Sequence, residues 1–71
     1  MKLSEFDDLP VGSIVALRRL TTDPDFLFRR TDKSIWVRIE DEIPFDHTTM
    51  SAYARSLRRL SDLEILAMET K

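Results

Sequence analysis

Short apolar stretches alternate with polar ones along this chain, and proline, aspartate and glycine mark where each stretch stops. Leu9-Pro10-Val11-Gly12 reads as a turn that feeds a strand, with proline fixing φ and glycine free to take positive φ. Ile14, Val15 and Leu17 then give residues 13–20 strand character. Thr21-Thr22-Asp23-Pro24-Asp25 is a strong break, because Asp-Pro favours a turn and proline cannot donate to a strand ladder. A second strand is expected over residues 26–30 and a third over residues 34–40, the latter rich in β-branched and aromatic side chains.

A tight turn at Asp32-Lys33 would join the second and third strands as a hairpin. That register sets Phe28 opposite Val37 and Phe26 opposite Ile39 on an apolar face. Arg29 then lies opposite Trp36, and Leu27 opposite Arg38, on the other face. Asp41 to His47 read as an acidic loop, after which a helix starts near Thr48 or Thr49. Met50, Tyr53, Ala54, Leu57 and Leu60 recur at helical spacing and mark its buried stripe. Residues 63–68 admit two readings. Leu63, Ile65 and Ala67 alternate with Glu64 as in a strand, whereas Leu60, Leu63, Glu64 and Ala67 also continue the helix; a closing strand is the favoured reading.

The expected fold class is therefore α+β: a small antiparallel sheet of three to four strands with one helix in the C-terminal half, in the order β-β-β-α-β. At 71 residues it forms one domain, residues 1–71. The expected core is Phe26, Phe28, Ile35, Val37 and Ile39 from the sheet with Leu57 and Leu60 from the helix. Ile43, Phe45, Leu66, Met68 and one sheet face remain as apolar surface, which points to self-association or a protein partner.

One resemblance enters here. The run Asp8-Leu9-Pro10-Val11-Gly12-Ser13-Ile14-Val15, followed by a turn, an arginine-bearing strand, Trp36 in a strand, and Leu63-Glu64-Ile65-Leu66 near the end, resembles a class of short proteins encoded by phages of actinobacteria. The resemblance implies a setting, the host cell cytoplasm, and no particular chemistry.

Composition narrows the chemistry further. There is no cysteine, so disulfides and thiolate metal sites are excluded, and one glycine leaves no room for a phosphate-cradling loop. The net charge of -2 gives no general pull toward nucleic acid or anionic membrane. No apolar run approaches the ~18 residues a membrane helix needs, and the acidic N-terminal residues lack an apolar signal core. His47 is the only histidine, and no catalytic pair sits in a recognisable context. Glu40, Asp41, Glu42, Asp46 and His47 bring possible hard-cation ligands within eight residues, yet without EF-hand spacing. A solvated loop whose Asp46 or Thr48 helps start the helix is the favoured reading, and no metal or other cofactor is expected.

The arginines are the candidate binding residues. Trp36 flanked by Arg29 and Arg38 on one sheet face would suit a base, a phosphate or a protein anchor. Arg55, Arg58 and Arg59, three and four apart on the expected helix, would share a basic flank. The function expected is a small non-enzymatic protein-binding module, of the accessory kind, acting on a host or phage protein or on a second copy of itself. A nucleic-acid or nucleotide binder using these arginines is the alternative.

Overall fold

Ile14-Val15-Ala16-Leu17 is apolar at four consecutive positions, a pattern that fits a strand covered on both faces better than one with a wet side. The computed structural model, which describes residues 1–70, places this strand, β1 (Ile14–Leu17), inside a five-stranded sheet. The other elements in chain order are α1 (Leu3–Asp7), β2 (Phe26–Asp32), β3 (Ile35–Arg38), β4 (Pro44–Asp46), α2 (His47–Ser51), a 3-10 turn (Ala54–Ser56), β5 (Leu57–Arg59) and α3 (Asp62–Glu69). Every neighbouring pair is antiparallel, and the strand order is β4-β3-β2-β1-β5. The α+β class holds, with one strand more than expected.

The sheet separates two apolar clusters. On one face Val15, Phe28, Trp36 and Leu57 pack against Phe6 and Leu9 from the N-terminal segment and Met50 and Ala54 from α2 and the 3-10 turn. On the other, Ile14, Ala16 and Leu60 pack with Leu27 and Ile39 under Ile65 and Met68 of α3. Of the expected core, Phe28, Leu57 and Leu60 are buried, while Phe26, Ile35, Val37 and Ile39 are half-buried and divided between the two faces.

Local chemistry explains the punctuation. Ser13 N–H donates to Pro10 O at 3.1 Å, and Gly12 sits at φ +96, the left-handed position that such a turn assigns to glycine. Ser61 caps α3, its hydroxyl accepting from Glu64 N–H while the Glu64 carboxylate accepts from Ser61 N–H. This reciprocal box is written in the sequence as Ser61-x-x-Glu64.

Three expectations are corrected. The β2–β3 hairpin is shifted by one residue: Phe28 pairs with Arg38, Arg29 with Val37 and Arg30 with Trp36, with an irregularity between Arg30 and Asp32. The Asp32 carboxylate accepts from both Ser34 N–H and Ser34 Oγ–H at 3.1 Å, which pins the turn at Lys33-Ser34 and not at Asp32-Lys33. The long helix from Thr48 to Leu60 is instead a five-residue helix, a 3-10 turn and a strand. Pairing β5 to the open edge of β1 outweighs continued helical spacing there, and it leaves Tyr53 50% exposed. Residues 63–68 are helical, so the closing strand is β5 and the chain continues past it into α3. Two elements went unforeseen, α1 in the acidic N-terminal segment and β4 within the acidic loop.

Candidate functional site

Helix α3 is apolar on more than one side. Ile65 and Met68 face the sheet, while Leu63 and Leu66 are 79% and 58% exposed on the opposite side. None of its residues is fully buried. Beside it runs an open groove of about 400 Å³, lined by Ala16, Leu27 and Leu60 from the sheet side and by Ala67 and Met68 from α3. Asp25, Arg58 and Glu64 are its charged members. Arg58 donates to both Glu64 oxygens at 2.9 and 3.0 Å, and this contact, with Ser61 N–H behind it, holds the Glu64 carboxyl below the usual carboxylate range.

The arginines expected to act together are dispersed. Trp36 is 0% exposed within the main core, so it cannot present its ring to a ligand. Arg29 lies on the α3 face, 3.7 Å from Glu69. Arg38 shares the Trp36 face, but its guanidinium rests over Phe26 and Phe45 at 5.3 and 5.4 Å and is forked onto Asp41, with Nε to Oδ1 at 2.8 Å. That contact keeps the Asp41 carboxyl below its ordinary range. Arg19 completes the layer over Phe26 at 3.8 Å and pairs with Glu40 at 2.6 Å. Arg55, Arg58 and Arg59 share no flank, because Arg55 is in the 3-10 turn and the other two are adjacent on a strand and point to opposite faces. Arg55 and Arg59 are exposed.

Comparison with protein-family models, with curated proteins and with solved structures finds no match for this chain.

The acidic loop does not converge. Glu40 and Asp41 are taken by Arg19 and Arg38, and Asp46 caps α2 by accepting from Thr49 N–H at 2.8 Å. Among the described residues no three His, Asp or Glu side chains come together as a ligand set. No helix of the described residues is long and apolar enough to cross a membrane.

His47 forms a contact that sequence alone did not reveal. Trp36 Nε1–H donates to His47 Nδ1 at 3.0 Å, and His47 Nε2 lies 2.7 Å from Asp7 Oδ1. Since Nδ1 accepts, the ring proton resides on Nε2 and is given to Asp7. Phe6 stacks flat on both rings, with centroids 5.0 Å from Trp36 and 4.8 Å from His47. Both imidazole nitrogens are thus engaged, one by Trp36 and the other by Asp7. Asp7 and His47 are 40 residues apart, and no local motif joins them. Nearby Arg30, 5% exposed, donates to the carbonyls of Asp7, Leu9 and Lys33 at 3.0, 2.5 and 2.5 Å. It ties α1 and the β2–β3 turn to the sheet through backbone oxygens, without an ion pair of its own among the described residues.

Proposed function

We propose that this chain is a small non-enzymatic protein-binding module whose working surface is the outer face of α3 with the groove beside it. The observation that carries the reading is the exposure of Leu63 and Leu66 on a helix whose opposite side is already packed. Two neighbouring large leucines on the outward side of a helix already packed on its inner side form an apolar strip of the kind that marks an interaction surface. Its charged residues among those described are Asp62, Glu64 and Glu69, all acidic. The complementary occupant is an amphipathic helical segment with apolar anchors flanked by lysine or arginine. The accessory role implied by the phage resemblance, inside the host cytoplasm, suits a module of this size.

Two fluorescein-labelled amphipathic peptides with identical leucine anchors, one flanked by lysine and one by glutamate, test this by fluorescence polarisation. The lysine-flanked peptide should bind, and more weakly as salt rises. Leu63→Glu/Leu66→Glu should weaken that binding at least about tenfold, a loss of ~1.4 kcal/mol, with an unchanged thermal melt. Equal binding of the two peptides, or unchanged affinity in the double variant, refutes the reading. Preferential binding of a labelled oligonucleotide in the same assay would replace it with the nucleic-acid alternative. Sedimentation of a dimer that the double variant dissolves would make a second copy the occupant.

A further inference from the structure

The stacked cluster around His47 holds the N-terminal helix in place with a single tautomer. Trp36 has no solvent exposure, so its indole N–H must find an acceptor inside the protein, and His47 Nδ1 is that acceptor. Phe6 and Asp7 of α1 then close on the pair, Phe6 by stacking across both rings and Asp7 by taking the Nε2 proton. We propose that the Asp7–His47–Trp36 chain is a proton-operated latch on α1, closed when the imidazole is neutral and opened when Nδ1 gains a proton.

The groups facing the imidazole decide the direction. A proton on Nδ1 turns the acceptor into a donor that points at the indole N–H, which is left buried without a partner. Asp7 pulls the other way, because a carboxylate favours imidazolium. Its side chain is 50% exposed, however, and water screens that attraction, whereas nothing screens the buried indole. Arg30 lies 5.6 Å from the Trp36 ring, with its guanidinium given to the backbone carbonyls of Asp7, Leu9 and Lys33. Asp46, the residue before His47, directs its carboxylate to Thr49 N–H. On protonation the ring gives up Trp36 and the flat surface under Phe6 is lost, which leaves the half-exposed Asp7 contact as the one remaining link between His47 and α1.

Nuclear magnetic resonance on the full chain tests this between about pH 8 and about pH 5, the interval in which imidazoles titrate. At the upper end the His47 ring signals should report the Nε2–H tautomer. As the ring titrates, the Trp36 indole N–H should shift, and the α1 amides should exchange at least about tenfold faster after correction for intrinsic pH dependence. His47→Asn supplies an amide oxygen near the Nδ1 position that cannot be protonated in this range. In that variant the indole signal and α1 exchange should be flat with pH. Titration of His47 with unchanged α1 protection overturns the proposal, and so does a His47→Asn protein that shows the same transition. If His47→Asn fails to fold, the ring signals and α1 exchange of the unmodified protein still decide it.

Discussion

Replacing Trp36 by alanine tests the core assignment and the hairpin register together. The ring is 0% exposed, stacked on Phe6 at 5.0 Å, and hydrogen-bonded through Nε1 to His47 at 3.0 Å. Truncating a buried tryptophan costs ~3–5 kcal/mol. Within that figure the lost aromatic stack accounts for ~0.5–1.5 kcal/mol and the hydrogen bond for ~1 kcal/mol. At ~0.05–0.15 kcal/mol per residue, a 71-residue domain has only ~4–11 kcal/mol in total. Each kcal/mol moves the melting temperature of such a domain by ~4–8 °C, so Trp36→Ala should melt at least ~12 °C lower or show no cooperative transition. Trp36→Phe keeps an aromatic surface under Phe6 and loses the N–H, so a smaller cost of ~1–2 kcal/mol is expected. Far-UV circular dichroism melts of both variants give the answer. A Trp36→Ala protein melting within ~5 °C of the parent, as a surface tryptophan would, refutes both the burial and the pairing of Trp36 with Arg30.

Two further outcomes follow from the geometry. Ser61→Ala removes one half of the α3 capping box and should cost ~1 kcal/mol in chemical denaturation, with faster amide exchange in α3. The carboxyls of Asp32, Asp41, Asp46 and Glu64 are all held below their ordinary range, by Ser34, Arg38, Thr49 and Arg58 respectively. Their stabilisation is complete above the unfolded-state values near ~4 and is lost as pH falls through the lower folded-state values. The urea midpoint should therefore decline steadily on acidification below about pH 4, less steeply in Asp46→Asn, and a flat midpoint there would contradict these contacts.

Punctuation was the most legible part of the sequence. Leu9-Pro10-Val11-Gly12 and the Asp23-Pro24 break delimit β1 and β2 because proline and glycine constrain the backbone whatever surrounds them. Register was less legible, since Asp32-Lys33 and Lys33-Ser34 both make acceptable two-residue turns, and the choice rests on the Asp32 side chain and on what Trp36 can bury against. Sliding a two-residue turn by one position moves the pairing by two and keeps each side chain on its face; the irregularity between Arg30 and Asp32 makes the net offset odd, which inverted the faces and dissolved the expected patch of Trp36, Arg29 and Arg38. Leu57 and Leu60 keep helical spacing yet lie on opposite sides of the sheet, because the open edge of β1 demanded a strand. Residues 63–68 read as a strand in preference to a helix by their alternation, whereas the Ser61-x-x-Glu64 box that starts α3 is the sequence signal that decides for the helix.

The placement of β5 has a consequence for how the chain is made. Strand β1 pairs on one side with β2, close in sequence, and on the other with β5, where Leu17 meets Leu57, forty positions further along the chain. During synthesis the hairpins β1–β2 and β2–β3 can form early, but Ile14 to Leu17 keep an apolar edge unpaired until residues 57–59 have emerged. Nascent copies crowded on one message would expose that edge to each other, and residues 57–69 close it, β5 by pairing and α3 by packing over the sheet. Expression should therefore be far more sensitive to truncation within residues 57–69 than to loss of a comparable length from the surface loop at residues 20–25.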